Sequence, residues 1–441
     1  MTDSNRDSLT AFISVTLLFF AWGFITNLID PLIPASMQVF GLKMEDAVYT
    51  QFAFFIAYGV FSLPGGAIVA RLGYARTIVL ALLAMTLACL IFPLATHLRA
   101  YGLVLVALFI LGGGITVLQV AANPLSAALG DPKTSHSRLV LSQAFNSLGT
   151  VLGPYVGSML MLSGGMFAAS AVGDMEAARA ASLKKIDTTF LLCAGMIALL
   201  MAFMWSQSRR ISESAPPAQA EKFSVAAALK SKWALFGGLG IFVYVGAEVA
   251  IASVMINFLQ RSDVIAHLLA EPGQTKILFF SFEGESAERA GKMLGWLYWF
   301  GAMVGRFAGS WLLRQIKAPT LLAIFAAIAT TLCLVVSQST GELSAYAALS
   351  VGLVNSIMFP AIFTITLERS TASVATTSGV LCMSIVGGAF IPKLFAEVAA
   401  RGHFHVAYFV PMVCYALIVL FAIAASRAKI VSHGVAPSTG H

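Results

Sequence analysis

The chain has 441 residues, 59% of them hydrophobic and 11% charged, with a formal net charge of +7. A soluble domain carries about 25% charged residues, so water-soluble domains are excluded, and so is disorder, which requires polar, charge-rich sequence. The apolar runs are continuous and far longer than the roughly ten-residue alternating segments of a membrane β-barrel. The fold class is therefore an all-α membrane protein.

A helix needs about 20 apolar residues to cross a bilayer. Runs of that length lie near 10–34, 48–70, 77–97, 101–128, 138–163 and 188–207. A polar interval follows, and further runs lie near 233–260, 291–313, 318–337, 343–367, 375–399 and 404–426. They predict twelve transmembrane helices in two pseudo-symmetric six-helix bundles, over 1–207 and 233–441, joined by a cytoplasmic linker over 208–232. The first run is too long for a signal h-region and is read as a retained helix. Lys and Arg gather on one side, in Arg71, Arg76, Lys133, Arg138, Arg209, Arg210, Lys230, Arg314 and Lys317 among others. The positive-inside rule then places both termini in the cytoplasm of a cell membrane, bacterial inner membrane by preference, and accounts for the net charge without nucleic acid. Cys89, Cys193, Cys333, Cys382 and Cys414 lie in apolar stretches with no CxxC spacing and read as small hydrophobes.

The halves resemble each other. Gly66 to Arg76 closes the second helix of the first half, and Gly305 to Arg314 that of the second. Asn123-Pro124 and Asn355 with Pro360 mark the fourth helices. Gly149, Gly153, Pro154 and Gly387, Gly388, Pro392 mark the fifth. Two such halves suit a carrier that rocks around a midplane site.

Ionisable groups within the membrane are costly and are functional candidates by default. Asp30, Glu248 and Arg306 are the candidates here. Asn27 and Asp30 share a helix face, and Pro31 and Pro34 loosen the helix behind them. A cation or proton site facing an internal cavity is expected there. Gln119 with Asn123, and Gln143 with Asn146, also pair along helix faces. Amides both donate and accept, which suits sugar hydroxyls; interhelical bonding is the plainer alternative. Glu248 and Asn355 are further substrate candidates. Trp296 and Trp299, set to share a face, could stack on a pyranose, against the alternative of an interfacial belt. Gly112-Gly113-Gly114 reads as close helix packing rather than a phosphate loop. No nucleophile–base set, metal-ligand spacing or cofactor motif is visible, so neither an enzyme nor a cofactor is expected.

The loop Gly66-Ala-Ile-Val-Ala-Arg71-Leu-Gly73-Tyr74-Ala-Arg76 resembles the major facilitator superfamily. Four further stretches resemble, more narrowly, its fucose–galactose–glucose:cation symporter family. They are Trp22-Gly-Phe-Ile-Thr-Asn27-Leu-Ile-Asp30-Pro-Leu-Ile-Pro34, Gln119-Val-Ala-Ala-Asn123-Pro124, Ser142-Gln143-Ala-Phe-Asn146-Ser-Leu-Gly149 and Tyr244-Val-Gly-Ala-Glu248-Val-Ala. The resemblance implies cation-driven uptake of a hexose or L-fucose-type monosaccharide by a monomer. It implies that Asn27, Asp30 and Gln143 bind sugar, with Asp30 also titrating. Two departures stand out. A fucose-transporting member has a second titrating glutamate where this chain has Gln119, and the superfamily loop carries an acid where this chain has Ala70. One obvious acid is left in the N half, and Asp30, Asn27 and Gln119 could together ligate Na+; the resemblance to a proton-coupled family nevertheless places H+ ahead of Na+. A facilitator or exporter of another small polar solute is the alternative.

Overall fold

The computed structural model describes residues 3–42, 44–162, 166, 174–215, 223–270, 274–277, 280–283, 286–401 and 404–431. Among these, nine stretches are long and apolar enough to cross a membrane. One of the nine is a pair, because the helix Met44–His97 is interrupted at Gly73, whose φ of 77° favours a residue without Cβ. Two more helices, Ser135–Met161 and the segment from Ser286 to Leu312, complete a set of twelve; they are less apolar because they carry Arg, His, Gln, Asn and Lys.

The twelve are α1 (Asp3–Asn27 continued by Ile29–Phe40), α2 (44–72), α3 (74–97), α4 (Tyr101–Ala128), α5 (Ser135–Met161) and α6 (Met175–Ser214), then α7 (Lys232–Leu259), α8 (Ser286–Met293, a π segment Leu294–Trp299, and Phe300–Leu312), α9 (Ala318–Gln338), α10 (Gly341–Asn355 and Met358–Arg369), α11 (Val374–Met383, a 3-10 turn Ser384–Val386, and Gly387–Ala400) and α12 (Phe409–Arg427). α6 runs past the boundary expected at 207, to Ser214, and a short helix Val225–Lys230 occupies part of the linker. Successive helices alternate in direction, so both chain ends and the linker share one face, called here the terminal face. A two-stranded antiparallel hairpin, β1 (Gln274–Ile277) and β2 (Phe280–Glu283), pairs Gln274 with Glu283 between α7 and α8 on the far face.

The breaks in these helices follow from proline. Pro31 has no N–H for the carbonyl of Asn27, and Pro360 has none for that of Ser356. α1 accordingly breaks at Leu28 and α10 at Ser356–Ile357. Glycine sets the closest helix contacts. A Cβ on Gly149 would lie 2.4 Å from the Phe20 carbonyl oxygen, and one on Gly153 would lie 2.5 Å from that of Phe24. α5 therefore meets α1 backbone to backbone at Gly149 and Gly153, and meets the Leu28 and Pro31 side chains at Gly157, as small residues permit in membranes. Gly112, Gly113 and Gly114 sit against Phe54, Phe61 and the Ala81–Met85 stretch, which is the packing role expected of them. All five cysteines are buried and free.

On the far face, Asp263 joins three connections of the C half. It accepts from Arg261 Nε at 2.9 Å, meets His405 Nε2 at 3.2 Å, and its carbonyl accepts from the Gly341 N–H at 2.8 Å. The hydrogen bond from Arg261 holds the Asp263 carboxyl below its usual range, against a smaller opposing effect of burial. A depressed folded-state pKa adds stability above the ordinary carboxylate value, and that stability is lost as pH falls through the depressed one. Asp263→Asn is therefore expected to melt below wild type in detergent at pH 7. The two curves should converge as the pH is taken below about 4. A constant gap across that range would mean that the charge contributes nothing.

Candidate functional site

Two buried polar clusters face each other across the boundary between the halves. In the N half, Gln119 Nε2 donates to the Tyr58 hydroxyl at 2.8 Å, and Gln143 Nε2 donates to Asn123 Oδ1 at 3.3 Å. Tyr58, Gln119, Asn123 and Gln143 are all buried. Asn123 Nδ2 finds no hydrogen-bond partner among the described residues beyond the soft Cys382 thiol beside it on α11. In the C half, the Tyr244 hydroxyl donates to Glu248 Oε1 at 2.7 Å and to the Asn355 carbonyl at 3.2 Å. Asn355 Nδ2 donates to the Tyr298 hydroxyl at 3.0 Å, and the Tyr298 hydroxyl to the Glu248 carbonyl at 3.3 Å. Asn355 Oδ1 is buried without a partner among the described residues. An unmet buried amide atom costs about 1–3 kcal/mol. One spare donor on α4 and one spare acceptor on α10 are what a polyhydroxylated ligand could satisfy.

Arg306 of α8 lies between the clusters. Its Nε donates to the Ser356 carbonyl at 3.1 Å, the carbonyl that Pro360 leaves free, and its Nη1 donates to the Gln143 carbonyl at 3.2 Å and to the Ser147 hydroxyl. Nearer the terminal face the halves are fastened together. The Ser137 hydroxyl donates to the Ser310 carbonyl at 2.7 Å, His136 Nε2 pairs with Glu368 Oε1 at 2.9 Å, and the Ser378 hydroxyl donates to the Val120 carbonyl at 2.8 Å.

The remaining candidates fall elsewhere. Asn146 Nδ2 donates to the Phe19 carbonyl at 3.0 Å, tying α5 to α1 as interhelical bonding would have it. Asn27 Nδ2 donates to the Gly23 carbonyl within its own helix at 2.8 Å, and its Cβ lies level with Gly153. Gly153 is ten residues along α5 from Gln143, about 15 Å at 1.5 Å per residue. Asp30 belongs to the second segment of α1, but its side chain lies outside the described residues. Its neighbour Pro31 abuts Gly157, so the Asp30 backbone sits farther still from the amides along α5. Along α5, Asn27 thus stands nearer the far face than Gln143, and the Asp30 backbone beyond it.

Trp296 and Trp299 do not share a face. The segment Leu294–Trp299 is a π-helix, whose i→i+5 bonding puts more than four residues in a turn, so a step of three falls well short of a full turn. Trp296 is 51% exposed and packs on Phe280 and Phe300, whereas Trp299 turns inward edge-on to Tyr298. Tyr58, Ser147 and Ser356 were not singled out by sequence. Tyr58, a hydroxyl in mid-helix, carried a usable signal; Ser147 and Ser356 did not, because serine is common in membrane helices.

Twelve helices in two halves, with amides and ionisable groups buried where the halves meet, are the architecture of a membrane transporter. The description of the Major Facilitator Superfamily matches residues 11–392. A glucose/galactose transporter of Brucella abortus is 38% identical over 97% of this chain and 96% of its own. A putative glucose/galactose transporter of Helicobacter pylori is 36% identical over 93% and 95%. The L-fucose-proton symporter of Escherichia coli is 28% identical over 95% and 93%. Among solved structures, the transporter FucP in the outward conformation superposes with a TM-score of 0.79 at 26% identity, covering 96% of this chain and all of that one. The chain belongs to the Major Facilitator Superfamily.

Proposed function

We propose that this protein imports a hexose of the glucose/galactose type together with a cation, H+ ahead of Na+, by alternating access. The observation that carries the substrate class is the 38% identity, end to end, with a protein named glucose/galactose transporter. The proton is favoured by the more distant L-fucose-proton symporter. Gln119, Asn123 and Gln143 bind sugar hydroxyls from the N half, and Asn355, with Glu248, from the C half. Asn27 and Asp30 form the cation level. A neutralised Asp30 accepts burial, because desolvation penalises only the charged carboxylate. Since the two levels stand apart along α5, the cation acts on the sugar through the α1–α5 contact rather than by touching it.

In this reading the bundles over 1–207 and 233–441 rock about the linker, the terminal face is cytoplasmic, and the closed contacts at Ser137–Ser310 and His136–Glu368 make this the outward-facing state. The carrier works as a monomer in the bacterial inner membrane. The test is uptake of labelled glucose, galactose and L-fucose into proteoliposomes under separately imposed pH and Na+ gradients. Concentrative uptake of glucose or galactose driven by an inward-directed proton gradient, with the outside acid, is expected. Uptake that ignores both gradients would instead favour a facilitator.

A further inference from the structure

Arg306 is a guanidinium in mid-helix among apolar neighbours, in a setting where an unsatisfied charge is expensive. Three acceptors meet it: the Ser356 carbonyl within its own half, and the Gln143 carbonyl and Ser147 hydroxyl of α5 in the other half. Two of the three therefore cross the boundary at which the halves must part. Ser356 stays with Arg306 whichever way the bundle tilts, since Pro360 keeps that carbonyl free within the same half. When α5 swings away, the guanidinium loses the other two partners and needs a replacement from its own side. Glu248 of α7 borders the same break in α10: Tyr244, which bonds its carboxylate, also bonds the Asn355 carbonyl, one residue before the Ser356 carbonyl that holds Arg306. Among the described residues no direct ion pair joins the two. Glu248 is held instead by Tyr244, at 2.7 Å.

We propose that Arg306 is a two-position latch. With the terminal face closed it is bonded to Gln143 and Ser147 of α5; with that face open it turns to Glu248. Arg306 is thus a positioning residue that sets the balance between the two states of the carrier. Its link to α5 also passes through Gln143, so closure of the terminal face and the placing of a sugar-binding amide become one event. The inference rests on the transport reading above for its purpose, but its test requires no sugar.

Nitroxides on Lys133→Cys and Lys317→Cys, both exposed at the terminal face on opposite halves, report the separation of the halves by electron–electron resonance in nanodiscs. The native cysteines are buried and stay unlabelled. Ser147→Ala removes an acceptor used only in the closed state, and is expected to lower the short-to-long population ratio about fivefold, the lower end of usual coupling between states. Glu248→Gln, read in the Ser147→Ala background so that both populations are visible, is expected to raise the ratio by a similar factor. In an Arg306→Gln background neither change should have an effect, as a double-mutant cycle demands. If Arg306→Gln does not fold, Arg306→Lys, which keeps the charge but reaches fewer acceptors, should at least halve both effects. A general structural role would move both variants the same way. Equal signs, a Ser147→Ala change under twofold, or effects that survive without Arg306 overturn the latch. Failure of the sugar assignment would leave these distances unaltered.

Discussion

Asp30→Asn is expected to abolish concentrative uptake while leaving counterflow exchange intact. The substitution keeps shape and polarity but cannot release a proton. One proton entering down 100 mV supplies about 2.3 kcal/mol, which at 1.36 kcal/mol per decade corresponds to accumulation of about fiftyfold. Without a titrating group at this level the ratio should fall to about one. Counterflow needs only binding and rocking, so labelled hexose should still exchange against a preloaded pool. The position suits the role because Pro31 breaks α1 at Leu28, just before Asp30, and leaves the Asn27 carbonyl without its helical partner. Proteoliposomes with imposed gradients provide both measurements. Wild-type accumulation by Asp30→Asn would remove this residue from the coupling step, and the Na+ arm would show whether ligation replaces titration.

Gly149→Val should be the most damaging single substitution on α5. Its Cβ would stand 2.4 Å from the Phe20 carbonyl oxygen and 2.6 Å from the Phe24 nitrogen, both backbone atoms that cannot turn aside. Overpacking costs about 1–3 kcal/mol where side chains can yield; here the helices themselves must separate. The α1–α5 contact is also the proposed route from the cation level to the amides, so any protein that folds should transport without coupling. Gly195→Val is the matched control, since nothing lies within 4 Å of a Cβ at that helical position. Melting and size-exclusion profiles in detergent are expected to be normal for the control and collapsed for Gly149→Val. Equal profiles would show that the α1–α5 contact yields more readily than its geometry implies.

The architecture was legible because hydrocarbon imposes a one-dimensional rule: each span needs a long apolar run whose backbone bonds are satisfied internally. All twelve spans were therefore readable from apolar runs, including α5 and α8, whose polar residues make them the least apolar. The breaks at Leu28 and Ser356 follow from Pro31 and Pro360, one turn downstream. The site was only partly legible. Residues of high cost, such as Asp30, Glu248, Arg306 and the amides, declare themselves anywhere in a membrane, but the cost is the same whether a group binds cargo, a neighbouring helix or its own backbone. Asn146 bonds to α1, and Asn27 to its own helix, for reasons that no spacing rule distinguishes from ligand binding. Trp296 and Trp299 were misread because α-helical periodicity was applied to a π segment.

From the sequence alone followed the membrane fold, the two halves, the loosening of the first helix by proline and the short set of residues that pay for their polarity. Those depend on local chemistry and on the thickness of a bilayer. Only the tertiary structure decided the partners: Tyr58 with Gln119, Asn123 with Gln143, and Arg306 between Ser147 and Ser356. It also set Asn27 beside Gly153, about 15 Å along α5 from Gln143. Such pairings arise from helices brought together at glycine contacts, and a contact between residues 20 to 159 positions apart leaves no trace in the order of the chain.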